Sequence, residues 1–190
     1  MEARRTRRRW SYAEFARLPS EGTSRQEVID GELVVTPAPG LRHQGIVTDL
    51  VTLLNTFVRA HDLGRIFAAP VDVLFGEGDY LEPDIVFVRR DRTGILSDRG
   101  VEGPPDLVVE IVSPATADRD RGVKLERYRH FGVAEYWIVD PEVGALEVWA
   151  LSEGASEPVV FGPADVLRWS PWVGGPVLEI SVAEVLSGFF

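Results

Sequence analysis

No stretch constrains this chain more than Asp106-Leu107-Val108-Val109-Glu110-Ile111-Val112-Ser113. It is short, rich in Val and Ile, and bounded by Pro105 and Pro114, so it reads as a strand buried on both faces. One residue breaks the pattern. Glu110 places a carboxylate inside that strand, where an isolated charge costs several kcal/mol unless a partner meets it. A second strand, Pro83-Asp84-Ile85-Val86-Phe87-Val88, opens with another acid. If the two strands are neighbours, Asp84 and Glu110 meet at one cleft. They repel there unless a cation lies between them or one of them takes up a proton.

The whole chain sets the outer limits. Its 190 residues are 45% hydrophobic, enough for one well-buried core, and a single domain is expected over 11–190. Residues 1–10 stand apart, with five arginines among the six positions from Arg4 to Arg9. They read either as a solvated basic tail or as an arm that contacts nucleic acid. No run of about 18 apolar residues and no signal-like segment suggests membrane insertion or export. The chain has no cysteine, which removes disulfides and thiolate metal sites and fits a cytoplasmic location. A formal charge of −10 opposes broad nonspecific affinity for phosphate, so nucleic acid would need a metal or a local basic patch.

Local signals place the remaining elements. Ser11 and Glu14 match a capping box ahead of a short helix. The stretch from Glu27 to Val35 reads as a hairpin turning at Asp30-Gly31, with Glu32, Val34 and Thr36 on one face. Ile46, Val47, Leu50, Leu53, Leu54, Phe57 and Val58 recur at three and four, giving a helix from about His43 to Ala60. His43 at its start is either a hydrogen-bonded surface group or a proton carrier. One strand is expected from Arg65 to Phe75, and a hairpin from Glu135 to Ala150. Trp169 and Trp172 are expected to cover core edges. On the helix from Asp118 to Phe131, Lys124 falls between Tyr128 and Phe131 at roughly 100° per residue, so it faces the sheet. There its ammonium must reach solvent or find an anion. These elements together give an α/β or α+β fold with a mixed sheet flanked by helices and hairpins.

Asp84, Glu110 and Lys124 are the groups that metal-assisted phosphodiester hydrolysis uses. Two carboxylates hold a hard Mg²⁺ or Mn²⁺ ion, and an ammonium offsets charge growing on phosphate. The same three also suit a buried structural ion pair between Glu110 and Lys124 with no metal. Asp106, four residues before Glu110 on one strand, is about 13 Å away and cannot share an ion with it.

Glu82-Pro83-Asp84, Pro105 to Pro114, Lys124 and Tyr128, and Gly132 to Pro141 together resemble the Uma2 family, as do Asp30-Gly31-Glu32-Leu33 and His43. That family is placed in the PD-(D/E)XK restriction-endonuclease-like superfamily. The resemblance implies a restriction-endonuclease-like core with a central mixed sheet, and a nuclease acting on nucleic acid, DNA first. It implies Asp84, Glu110 and the backbone carbonyl of Ile111 as ligands of Mg²⁺ or Mn²⁺, with Glu32 and His43 lining the cleft. The superfamily's lysine stands two residues after the second acid, where this chain has Val112, and Lys124 is the candidate replacement. Arg89, Arg90, Arg92, Arg119 and Arg121 are expected near the mouth, with Arg119 and Arg121 as candidate nucleic-acid contacts. Relatives of the fold are commonly dimeric, so a homodimer belongs to the same expectation. The alternative is a nuclease-fold binding or scaffold protein that retains the acids without using them.

Overall fold

The computed structural model describes residues 9–19, 24–76 and 78–187, so most of the arginine-rich start lies outside the described residues. A one-turn helix α1 (Tyr12–Phe15) precedes the hairpin β1 (Arg25–Ile29) and β2 (Glu32–Thr36), the long helix α2 (Leu41–Ala60), and strands β3 (Gly64–Ala68), β4 (Val73–Gly76), β5 (Asp79–Leu81) and β6 (Ile85–Arg89). Two short strands follow, β7 (Leu96–Ser97) and β8 (Gly100–Val101), and then β9 (Leu107–Ile111). A helical segment comes next, made of α3 (Ala117–Arg119), a π-helical stretch over Asp120–Lys124 and α4 (Leu125–Phe131). The last elements are β10 (Glu135–Asp140), β11 (Ala145–Trp149), β12 (Val159–Phe161), β13 (Val166–Trp169), β14 (Leu178–Ser181) and α5 (Val182–Ser187).

The central sheet has the order β12-β11-β10-β9-β6-β3. β9 and β10 are parallel and joined by the helical segment, while the other neighbours are antiparallel. β9 is therefore an interior strand, and alternation along it decides where its acid points. Leu107, Val109 and Ile111 pack with Ile46, Leu50 and Leu54 of α2. Val108 and Val112 pack on the opposite face, with Leu125, Tyr128 and Tyr136. Glu110 has the parity of Val108 and Val112, so it points toward the helix that carries Lys124. A second sheet, β2-β1-β5-β4-β8-β7, closes over the same face and contributes Ile29, Val73, Leu81 and Val101 to that core.

Turn and cap chemistry behaves locally. Asp30 and Gly31 take φ of 49° and 83°, as a two-residue hairpin turn requires. Ser11 and Glu14 form the capping box, and Gly132, with φ of 84°, ends α4 in the left-handed region. The expected strand from Arg65 to Phe75 is instead two, β3 in the central sheet and β4 in the second. Pro70, between them, has no N–H with which to continue a ladder. Trp169 is buried against Phe87 and Trp137, whereas Trp172 stays 41% exposed beneath Arg89. No helix among the described residues is long and apolar enough to cross a membrane.

Candidate active site

Asp84 sits one residue before the Ile85–Val109 pair of β6 and β9, which brings it beside Glu110 and Ile111. Its Oδ2 accepts the Ile111 N–H at 2.7 Å and lies 3.1 Å from His43 Nε2 at the start of α2. Its Oδ1 accepts a hydrogen bond from Arg25 Nη2 at 2.6 Å. Burial pushes this carboxyl up, but the His43 hydrogen bond and the Arg25 charge outweigh it and bring Asp84 down to about 2. Asp84 is therefore an anion at neutral pH.

Glu110 is held from the other side. Its Oε1 accepts from Lys124 Nζ and from the Tyr128 hydroxyl, both at 2.7 Å. Its Oε2 lies 3.9 Å from Arg25 Nη1. Lys124 also pairs with Glu27 Oε1 of β1 at 2.8 Å and lies 3.8 Å from Asp120 Oδ1. Asp120, Lys124 and Tyr128 recur every four residues, so they share one helix face, here turned onto β9. Burial pushes Glu110 up to about 8 against the pull of Lys124, with Asp120, Asp84 and Glu27 adding to the rise. Burial also opposes the Lys124 charge, but Glu110, Glu27 and Asp120 reverse it and hold the ammonium above the ordinary lysine range. The Tyr128 phenol is raised by burial and by Glu110, so it stays a donor.

A cleft of about 330 Å³ opens onto these groups, walled by Arg25, Thr36, the Pro37–Gly40 turn, Arg42, His43, residues 110–116, Arg119, Asp120 and Lys124. Thr36 Oγ1, His43 Nδ1, Arg119 Nε and Asp120 Oδ1 are buried without a hydrogen-bond partner among the described residues. Buried polar atoms are normally satisfied, so this concentration marks a place built to receive polar matter. Asp84, Glu110, Glu27 and Asp120 bring four carboxyl groups together with three cations, Arg25, Lys124 and Arg119.

Hard oxygen donors of this kind fit Mg²⁺ or Mn²⁺. Among the described residues no group of three or more His, Asp or Glu is arranged to hold an ion. Asp84 and Glu110 are the two neighbouring carboxylates that face Arg25. Val112 N–H donates to Val139 on β10, so the N–H and C=O of Ile111 point the other way along the pleat, toward Asp84.

The structure brings together Asp84, Glu110, Lys124 and His43, and corrects other expectations. Glu32 is exposed, opposite Ile29 at the turn end of the hairpin. It lies four residues, about 13 Å, from Thr36, which does reach the cleft. The hairpin acid at the cluster is Glu27. Arg121 does not face the cleft, because it donates to Asp140 at 2.8 Å and to Glu147 at 2.6 Å. Arg119, two residues earlier, is on the wall. Arg89, Arg90 and Arg92 lie at the far end of β6, paired with Asp91, Asp62 and Asp106. Asp106 is thereby a structural anchor for Arg89 N–H and Arg92. Sequence reasoning missed Arg25, Glu27, Asp120 and the bond from Tyr128. The repeat of four through Asp120, Lys124 and Tyr128 was the available signal.

A mixed sheet with helices on its faces, and an acid pair at the edge where β6 and β9 meet, is a restriction-endonuclease-like core. A family model described as "Putative restriction endonuclease" matches residues 12–181, and the chain belongs to that family, Uma2. A solved structure from Anabaena variabilis, described as a "putative nuclease belonging to DUF820", superposes with a TM-score of 0.78. It shares 23% identity with this chain and matches over 94% of this chain and 98% of its own. Among curated proteins no relative matches.

Proposed function

We propose that this protein is a divalent-metal-dependent nuclease of the PD-(D/E)XK type that hydrolyses phosphodiester bonds, with DNA as substrate. The observation that carries the reading is the convergence of Asp84 Oδ1 and Glu110 Oε2, from adjacent strands, on one positively charged point in a cleft. Asp84, Glu110 and the Ile111 carbonyl would hold Mg²⁺ or Mn²⁺. Such an ion supplies charge stabilisation at phosphate and a more acidic water. Lys124 and Tyr128 fix the Glu110 carboxylate from behind, and the Lys124 charge offsets the negative charge that grows on phosphate. With its Nε2–H donated to Asp84, His43 presents Nδ1 as a lone pair able to accept a proton. Arg119 offers a guanidinium edge to the substrate backbone.

The test is cleavage of single-stranded, duplex and supercoiled DNA in Mn²⁺, Mg²⁺ or EDTA, with calorimetric Mn²⁺ titration alongside. Cutting and Mn²⁺ binding are expected in the wild type, with both lost in Asp84→Asn and in Glu110→Gln. Mn²⁺ binding that is the same in wild type and variants would overturn the assignment. One observation favours the alternative of a nuclease-fold binding protein: Lys124 and Arg25 turn their donors onto the protein's own acids. That alternative requires no metal-dependent cutting on any substrate.

A further inference from the structure

Each acid of the pair has one oxygen in use and one turned to Arg25. Asp84 Oδ2 is taken by Ile111 and His43, and Glu110 Oε1 by Lys124 and Tyr128. The remaining oxygens, Asp84 Oδ1 and Glu110 Oε2, face Arg25 Nη2 at 2.6 Å and Nη1 at 3.9 Å. The same guanidinium is braced by Glu82, whose Oε1 lies 3.1 Å from Nε. Its side chain is 15% exposed and opens onto the cleft, so it has a way out that Lys124, at 1%, does not have.

We infer that Arg25 is a resident counter-ion which occupies the metal position and must be displaced for a divalent ion to bind. This inference rests on the ion reading of Asp84 and Glu110 given above. A divalent ion held by Asp84 and Glu110 would draw on the carboxylate charge that Arg25 now neutralises. Two cations cannot share that charge, because like charges a few ångströms apart in a buried site repel by several kcal/mol. Arg25 thus keeps the acid pair from repelling itself in the metal-free protein and sets a threshold against ion loading. Its action on catalysis is indirect, through occupancy of the metal position, so Arg25 is a positioning residue.

The test measures Mn²⁺ affinity by calorimetry in wild type and Arg25→Gln, together with melting temperature with and without Mn²⁺. Arg25→Gln is expected to bind Mn²⁺ roughly ten- to hundredfold more tightly, to melt lower without ion, and to gain more from Mn²⁺ than the wild type does. A merely structural arginine would give weaker binding. If Arg25→Gln does not fold, the wild type still decides: Mn²⁺ should increase phenylglyoxal modification of Arg25, mapped by mass spectrometry. Equal Mn²⁺ affinity in the two proteins, or protection of Arg25 by Mn²⁺, overturns this inference and leaves the ion site standing. Absence of Mn²⁺ binding in both removes the ion reading and this inference with it.

Discussion

Replacing Lys124 by Met tests the electrostatic core of the site. The ammonium lies 2.7 Å from Glu110 and 2.8 Å from Glu27 and is 1% exposed, so solvent does not screen it. Its removal leaves two carboxylates in one dry pocket, with Arg25 3.9 Å from Glu110 Oε2 as the nearest remaining cation to that acid. Breaking a buried pair this way costs about 3–5 kcal/mol. For a chain of this length that corresponds to a fall in Tm of roughly 6–20 °C. The loss has a pH signature. Lys124 is what pulls the buried Glu110 down; without it, burial and the neighbouring Asp120, Asp84 and Glu27 raise the folded-state pKa further above the unfolded value. A carboxyl raised on folding contributes its full stability below the unfolded pKa and loses it as pH rises through the folded one. The variant's deficit should therefore be smaller near about pH 6, where Glu110 is protonated in both folded proteins, and larger near about pH 9, where only the wild type ionises it. Adding Glu27→Gln should recover part of the deficit, because one of the two buried acids left without Lys124 is then gone. Urea and thermal unfolding followed by circular dichroism at both pH values decide it. A fall in Tm below about 2 °C, unchanged between them, would refute the claim that this ammonium neutralises the acids.

Two further outcomes follow from particular contacts. Arg119→Ala should weaken binding to duplex DNA and make the salt slope shallower by about one, whereas Arg121→Ala should leave binding unchanged and cost about 1–2 kcal/mol of stability. Fluorescence anisotropy across a salt series separates them, and an equal loss in both would count against the cleft as the substrate path. Glu135 accepts from the indoles of Trp137 at 2.7 Å and Trp169 at 3.1 Å. In Glu135→Gln the amide NH₂ must face one of those indole donors, so we expect a loss of about 1–3 kcal/mol, read by denaturation with tryptophan fluorescence. An unshifted transition would mean that the indoles are not held by this acid.

What could be read from the sequence was what depends on neighbours along the chain. Asp30-Gly31, Ser11 with Glu14, and Gly132 each carry their turn or cap chemistry within a few residues, and each forms. The pairing of Asp84 with Glu110 was legible because an acid inside an apolar strand demands a cation wherever the strand ends up. Arg25 and Glu27 were not legible. They share a face with Ile29 by period two, but only the packing of the second sheet on the first decides that this face is buried. The same reasoning covers the arginines. Arg119 and Arg121 are two residues apart and so about 200° apart around the helix axis, pointing nearly opposite ways. Which one faces the cleft depends on how the helix rolls on β9, with the π-helical stretch Asp120–Lys124, which includes Arg121, shifting the phase.

Two residues after Glu110 in the chain stands Val112. It has the same facing as Glu110 but is 2% exposed among Leu125, Tyr128 and Tyr136. An ammonium on that side chain would have Glu110 as the one acid on its own strand face. From position 124 the ammonium arrives between β9 and β1 and meets Glu110 and Glu27 together. One side chain thereby ties the central sheet, the helix and the second sheet at a single point. Arg25, on the same strand as Glu27, links that point to Asp84 and Glu82. The hairpin thus contacts the acid pair through Arg25, and through Glu27 by way of Lys124. A displacement of β1 would therefore move Arg25 and Glu27 together, changing the charge around both carboxylates without touching either strand that bears them.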